Sequence, residues 1–443
     1  MPWPRRRLLL CALLALWLAP APASAADPVD EATTTDESAG PRRARPRIAT
    51  SRKRPRPSLR DRSQYKTVVD PATGRPREVF RRHRFLPVVN VLRDPGFGTI
   101  VGLRARYVNR LPGAAFNRIQ LDVALRLSTR RIQDHDIRLQ LRDLLGRREL
   151  MVFSLFMDND PAYPYLGVAQ NQDLSGVDFH DRRYTTFRRT IGGAASYAEP
   201  FWTVPATDRH ALGLLRWYTG LFFAVDRIAP YDDSLLASER PQDAGLSRRG
   251  AVIGGLQWDR RDNEWNPTDG ALHESSLTLA GPWVGGSSAW ARVNLTARWY
   301  RSLGTPKLVF AQMAVFDGLI GIPPLIPLGE LGGLDPYEGL GGRSIGRGFY
   351  RRRFIGDTKA GVMTELRYQP FDLKVFRWTL GLGTRAFFDL VKVFRKNESL
   401  HANVHPSGGG GLYVIWDRFF VFRLDVAFTR EGPGVYLAGE HPF

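Results

Sequence analysis

From Phe85 to the end of the sequence, apolar and polar residues alternate in one segment after another. Clear examples are residues 119–127, 137–142, 291–299 and 420–428, and a period of two places successive side chains on opposite faces of a β-strand. The polar face often carries Arg or Asp, which a secreted β-sandwich would rarely need. A transmembrane barrel turns its apolar face to lipid and its charged face to a wet lumen. The pattern therefore predicts an all-β transmembrane barrel over residues 85–443.

The connections between these segments set the number of strands. Long connections are expected at 158–183, 227–248, 318–356 and 390–406, and shorter ones at 199–208, 260–270, 302–305 and 370–375. The long set falls on one side of the barrel and the short set on the other, as outer loops and periplasmic turns do. This alternation requires residues 85–92 as the first strand and 434–443 as the last. It predicts sixteen antiparallel strands.

The first 84 residues differ from the barrel in composition. Residues 1–25 combine a basic start, a short apolar run and a small-residue cleavage site, which predicts a cleaved signal peptide. Residues 26–84 are rich in Pro and Arg and are expected to be a disordered periplasmic tail. Its part 38–84 holds sixteen Lys or Arg and three acids, so it could contact anionic lipid or the cell wall. A plain solvated linker remains open, and an exported chain is not expected to bind nucleic acid.

Composition argues against enzyme chemistry. Cys11, inside the predicted signal peptide, is the only cysteine, and the eight His residues have no metal-ligand spacing. The glycine run 408–411 leads into a strand and not a helix, so it does not form the usual phosphate cradle. No convincing Ser-His pair is present. We therefore expect no catalytic residue, no cofactor and no metal.

A glycine-rich segment between two strands, residues 331–357, is the most informative motif. Its sequence Gly346-Arg347-Gly348-Phe349 places one arginine between two glycines. This resembles the BamA/TamA family of outer-membrane assembly and translocation barrels, also called the bacterial surface antigen family. There the sixth outer loop tucks into the lumen and carries an Arg-Gly-aromatic motif. The resemblance implies that Arg347 binds acidic residues of the barrel wall, for which Glu365 and Asp389 are the candidates.

The resemblance extends over the whole barrel. Residues 258–270 are similar to the family's periplasmic turn between strands eight and nine, and residues 86–98 to its short first strand and loop. A terminal aromatic, Phe443, resembles the C-terminal recognition signal of outer-membrane proteins, although His441 and Pro442 break the usual alternation. Typical members carry periplasmic POTRA domains before the barrel, and here that space holds the basic tail. The resemblance thus implies a stand-alone barrel.

The implied function is insertion or translocation of proteins or lipids at the outer membrane of a Gram-negative bacterium. A short first strand would leave a weak seam between 85–92 and 434–443 that could open sideways. A cysteine pair at Val89 and Leu437 would test this seam. The alternatives are a passive porin-like channel, with the long loop as a plug, and a structural surface barrel. The sequence does not identify a polypeptide client.

Overall fold

The structure is a computed structural model. It describes residues 65–69, 76–80, 82–110, 117–203, 214–263, 266–375, 378–395, 398–399, 401–416 and 420–443. The predicted signal peptide and the tail up to residue 64 lie outside these residues. The expected disorder of residues 26–84 differs from the structure at three places, one of which is the first barrel strand, which begins at His83. Tyr65–Val69 (β1) and Pro76–Phe80 (β2) pair as an antiparallel two-stranded sheet. Both are short runs with β-branched or aromatic residues, separated in the sequence by Asp70-Pro71 and Gly74, which favour turns.

Within the described residues, sixteen antiparallel strands close into one barrel. They are β3 (His83–Asp94), β4 (Gly98–Arg110), β5 (Asn117–Ser128), β6 (Gln133–Arg142), β7 (Leu150–Pro164), β8 (Thr185–Thr203), β9 (Leu214–Pro230), β10 (Gly245–Asp259), β11 (Gly270–Ala280), β12 (Trp290–Leu303), β13 (Thr305–Gly321), β14 (Thr358–Val375), β15 (Trp378–Val393), β16 (His405–Trp416), β17 (Phe420–Thr429) and β18 (Gly432–Gly439). The predicted strand number is therefore confirmed.

The connections also follow the predicted sides. The four longest predicted loops lie at 165–184, 231–244, 322–357 and 394–404, all at one end of the barrel. Two short helices, Leu235–Glu239 and Leu325–Gly329, lie in these outer loops. No helix in the described ranges is long and apolar enough to cross a membrane.

Side chains alternate across the wall as the sequence predicts. On β4, Val101 and Leu103 are exposed, whereas Ile100 and Arg106 point inward and are buried. The inward face of the barrel carries most of the buried charged residues, and the outward face carries exposed Leu, Val and Phe. Apolar side chains on the outside and charged side chains on the inside are the arrangement that a lipid-embedded barrel requires.

The seam that closes the barrel differs from its other strand pairs. Hairpin partners β3 and β4 pair at every residue from His83 to Asp94. In contrast, the described residues of β18 and β3 pair in register only at Leu437 and Arg93. The expected first strand of residues 85–92 is too short, because β3 has twelve residues. A short first strand is therefore not the reason why the seam has few pairs. The seam is short because Leu437 lies near the periplasmic end of β18, whereas Arg93 lies near the outer end of β3.

Toward the periplasm from this pair, β3 overlaps the neighbouring strands. Leu86 and Val88 of β3 are buried, and Trp416 of β16 and Phe422 of β17 pack against them. Phe422 shares its face of β17 with Leu424, which is exposed on the lipid side. The periplasmic half of β3 therefore lies across the outer face of the last strands rather than beside the edge of β18.

Candidate functional site in the barrel lumen

The outer loop 322–357, between β13 and β14, folds into the lumen. Its apolar side chains form one buried cluster with inward-facing residues of the wall. The loop contributes Leu331, Leu340, Ile345, Phe349 and Phe354, and the wall contributes Tyr300, Ala311, Met313, Val315, Met363, Val391 and Val393. Because these loop residues have no exposed surface, the hydrophobic effect holds the loop inside the barrel.

Arg347 belongs to this loop, and its side chain is fully buried. Its Nε and Nη2 donate to the two carboxylate oxygens of Asp389 on β15, at 2.9 and 2.7 Å. Its backbone N–H donates to the same carboxylate at 3.0 Å, and Nη1 donates to Glu365 on β14. The structure thus brings Arg347 together with both acidic residues that the sequence suggested. A guanidinium bound through two parallel hydrogen bonds has a fixed orientation as well as a fixed position.

The carboxylates that hold Arg347 belong to a larger buried network. Glu365 also accepts from Nε of Arg367 at 2.7 Å and lies 3.5 Å from Arg385. Arg385 donates in turn to Asp425 of β17, which also binds Arg423. The network therefore links the loop to β14, β15 and β17.

The glycines of the motif make room for this placement. Gly348 has φ +99°, and an added Cβ would lie 2.5 Å from the methyl group of Thr429. Gly346 has φ +71°, and its added Cβ would lie 2.9 Å from Val391. A side chain at either position would meet both backbone strain and the wall. The backbone N–H of Gly348 also donates to the hydroxyl of Tyr436 on β18 at 2.9 Å, so the motif contacts the last strand directly.

The Arg347 guanidinium carries its charge despite its burial. Burial alone would lower the pKa of Arg347, but the carboxylates of Asp389 and Glu365 outweigh it and raise the pKa above its ordinary value. The guanidinium also lies over the ring of Phe387, 3.7 Å from its centre. On the adjacent strand, a Cβ added to Gly409 would lie 2.7 Å from that ring. The glycine run 408–411 therefore leaves clearance inside the wall, as expected for glycine in a strand.

Two further anchors of the loop were missed by sequence reasoning. Lys359, at the start of β14, is buried, and its ammonium donates to the carbonyls of Leu328 and Glu330 at 2.8 and 2.6 Å. Leu328 lies in the last turn of the short helix Leu325–Gly329, and Glu330 directly follows this helix. The carbonyl groups at the C-terminal end of a helix favour a nearby cation. Asp317 lies 3.5 Å from the same ammonium. A lysine directly after a long loop was the only sequence signal.

The second missed anchor is the triplet Arg351-Arg352-Arg353, which ties the loop to the outer end of the barrel. Arg351 binds Asp160 at 2.6 Å and the carbonyl of Ala162 at 2.9 Å. Arg353 donates to Glu431, in the turn between β17 and β18, and to two carbonyls of loop 165–184. Three consecutive arginines after a glycine-rich motif can be recognised in the sequence. Their partners cannot, because they lie in segments that are distant in the sequence.

Phe443, the proposed recognition signal, lies inside the folded barrel. Strand β18 ends at Gly439 and not at residue 443 as predicted. Phe443 is buried in the same cluster as the loop side chains. The breaks in alternation at His441 and Pro442 correspond to this turn into the lumen, because Pro442 has no N–H for a strand ladder.

The described residues contain no group of three or more His, Cys, Asp or Glu side chains that could hold a metal ion. The lumen is instead dominated by paired arginines and carboxylates and by the buried loop. This arrangement positions the loop against the strands of the wall.

The chain is similar to one protein family and to several solved structures. Residues 121–434 match the model of the Omp85 superfamily domain. The solved structure of BamA from Haemophilus ducreyi lacking POTRA domains 1–3 is similar at 15% identity with a TM-score of 0.50, over 86% of this chain and 76% of that one. CdiB from Escherichia coli is 14% identical with a TM-score of 0.49, over 85% of this chain and 65% of that one. CdiB from Acinetobacter baumannii is 12% identical with a TM-score of 0.45, over 86% of this chain and 66% of that one.

No curated protein matches the sequence. The superfamily match, in contrast, covers more than two thirds of the chain and includes both the Arg347 loop and its wall partners. The chain belongs to the Omp85 superfamily.

Proposed function

We propose that this barrel inserts or translocates polypeptides at the outer membrane by parting the seam between β3 and β18. Members of the Omp85 superfamily insert or translocate proteins, and such a barrel implies a Gram-negative outer membrane. The finer assignment, to a BamA/TamA-type barrel, is part of the proposal and is supported by the Arg347 motif, and export by a signal peptide is supported by the pattern of residues 1–25. The client is a polypeptide, and the tail 38–84 is a candidate contact for anionic lipid or the cell wall.

The observation that carries the proposal is the seam. Among the described residues, β3 and β18 share one register pair, Leu437 with Arg93, whereas β17 and β18 share pairs from Phe422 to Thr429. Parting the seam therefore breaks far fewer strand-to-strand hydrogen bonds than parting any complete hairpin would. In lipid, the backbone N–H and C=O groups of an unpaired strand edge must find new hydrogen-bond partners. The parted seam would offer such an edge to an incoming strand.

A disulfide across the seam tests the proposal. The pair Val89 and Leu437 is not suitable, because Leu437 lies opposite Arg93. Directly opposite residues are close enough for a disulfide, so the variant is Arg93→Cys with Leu437→Cys. The readout is a set of client proteins, defined as those whose abundance in the envelope or the medium falls when the gene is deleted. We expect the oxidised variant to fail to restore them and the reduced variant to succeed.

A matched control uses the same residue of β18. Leu424 pairs with Leu437 within the hairpin β17–β18, so Leu424→Cys with Leu437→Cys forms a cross-link that leaves the seam free. This control should restore the client proteins in both redox states. Full activity of the oxidised Arg93–Leu437 variant would overturn the seam mechanism.

The passive channel is the second candidate, and planar-bilayer conductance separates the two. Loop 322–357 folds into the lumen and is tied to the outer end of the barrel by Arg351 and Arg353. An insertion or translocation barrel with this plug should be silent or flicker briefly. A steady large conductance of the purified full chain would favour the channel.

A further inference from the structure

We propose that residues 440–443 form a latch that couples the seam to the Arg347 network. The proposal rests on the proposed function, because it assumes that β3 and β18 part during activity. Its content is separate, however, because it assigns positioning roles to Glu440 and Phe443, which contact different strands of the barrel wall, β4 and β14.

The latch begins where β18 leaves the sheet. Gly439 makes the last register pair of β18, with Phe422, and the N–H of Glu440 still donates to the carbonyl of Val421 at 2.8 Å. From there the chain turns inward, and Pro442 and Phe443 are buried. The turn explains why β18 does not continue along the periplasmic half of β3.

Glu440 crosses the seam on the lumen side. Its carboxylate lies 3.0 Å from Nη1 of Arg104, on β4. The ion pair thus links the last strand to the second barrel strand and passes over β3. Its glutamate is about half exposed (52%), so by itself it contributes little to stability. Its importance lies in which two elements it joins.

Phe443 makes the link to the loop. Its carbonyl oxygen accepts from Nη2 of Arg367 at 2.9 Å, and its ring lies 5.2 Å from the same guanidinium. Nε of Arg367 donates to Glu365 at 2.7 Å, and Glu365 accepts from Arg347. The ring of Phe443 also belongs to the buried cluster that contains Phe349 of the motif. An unbroken series of contacts therefore runs from the seam to the loop.

This series predicts coupling between two events. Parting β3 from β18 moves Glu440 away from Arg104 and withdraws Phe443 from its cluster. Arg367 then loses an acceptor, and the apolar cluster around the loop loses a ring. Seam opening and loop release should therefore favour each other, and a coupling of this kind acts in both directions.

A cysteine in the loop reports on release. Since Cys11 is the only cysteine of the sequence and precedes the barrel, Ser344→Cys gives one reactive thiol in the barrel region. The rate at which a membrane-impermeant maleimide labels it in the full-length protein measures how often the loop is released. Phe443→Ala should raise this rate about tenfold, which corresponds to about 1.4 kcal/mol. Phe443→Leu, which keeps an apolar side chain, should stay closer to the unmodified protein.

The controls separate the latch from general loosening. Phe428→Ala removes an exposed, lipid-facing ring of β17 and should leave the rate unchanged. Should Phe443→Ala fail to fold, Arg367→Gln breaks the same series without altering residues 440–443 and should raise the rate similarly. Unchanged labelling in folded Phe443→Ala or in Arg367→Gln, or an equal rise in Phe428→Ala, would overturn the latch.

The two proposals can fail separately. Labelling of Ser344→Cys is measured without any client, so it tests the latch even where the seam disulfide leaves activity intact. Here Ser344→Cys is combined with the Arg93–Leu437 cysteine pair, and labelling is read at residue 344 alone by mass spectrometry of its peptide, because the reduced pair also offers thiols. A functional latch should make labelling of residue 344 slower in the oxidised protein than in the reduced protein. Equal labelling in both redox states would refute coupling to the seam, whatever the activity result.

Discussion

Replacing Arg347 with methionine removes the guanidinium and keeps an unbranched side chain of similar reach. Three side-chain hydrogen bonds to carboxylates are lost, two to Asp389 and one to Glu365. Glu365 keeps Arg367 and Arg385 as neighbours, whereas Asp389 keeps the backbone N–H of residue 347. The cost therefore arises mainly from a buried carboxylate at Asp389 that has lost its counter-ion. Removing one partner of a buried pair costs about 3–5 kcal/mol.

The free energy of unfolding is measured by urea titration of the detergent-solubilised barrel, with the fluorescence of its tryptophans as the signal. We expect Arg347→Met to lower it by about 3–5 kcal/mol, and Arg189→Met, at an exposed position of β8, to change it by less than about 0.5 kcal/mol. Trypsin cleavage in loop 322–357 reports release of the loop in the same samples.

Asp389→Asn added to Arg347→Met removes the stranded charge. The double variant should therefore be more stable than Arg347→Met alone, because the effects of directly bonded residues are not additive. A loss below about 1 kcal/mol in Arg347→Met, or strictly additive effects of the two substitutions, would refute the assignment of Arg347 as the anchor of the loop.

Three further outcomes follow from the same geometry. Gly348→Ala adds a methyl group about 2.5 Å from Thr429 at a positive φ, so loop cleavage by trypsin should increase although no charge is lost. Arg353→Gln removes the bonds to Glu431 and loop 165–184 and should raise flicker conductance in planar bilayers, with Glu431→Gln giving the same direction. Burial and the neighbouring Arg367 and Arg385 lower the pKa of His441 well below 6.5. His441 is therefore neutral when folded and stability should fall as the pH drops below about 6.5, a dependence that His441→Asn should reduce in urea titrations.

The strands were predictable because their signal is local. Alternation along each segment records which face meets lipid, and the parity of loop lengths then fixes the number of strands. The Arg347 contacts were anticipated through the resemblance of its motif to a known family, which implied acidic partners on the barrel wall. Glu365 and Asp389 could be named as candidates because they lie on the two strands that follow the loop, and both accept from Arg347. Strand ends differ from the prediction by a few residues, as at Gly439, where the alternation fades gradually.

The seam and the outer anchors could not be predicted in the same way. Whether β3 meets β18 edge to edge depends on how sixteen strands tilt and stagger together, which no single segment records. The sequence suggested a short first strand, whereas Leu86 and Val88 lie over the outer face of β16 and β17. Similarly, Arg353 and Glu431 are far apart in sequence, and nothing local to either residue identifies the other as its partner.

The residues of the Arg347 network indicate whether it serves stability or another purpose. Its fully buried members are four guanidiniums and three carboxylates: Arg347, Arg367, Arg385 and Arg423 with Glu365, Asp389 and Asp425. Burying so many charges costs desolvation energy that their mutual attraction only partly offsets, and apolar side chains of similar volume often give equal or greater stability. Stability alone therefore does not explain the network. Directional hydrogen bonds add to the apolar packing of the loop and fix Arg347 in one orientation, and water or another charged group can replace them one at a time. An anchor of this kind fits the proposed function, in which the loop would be released when the seam parts.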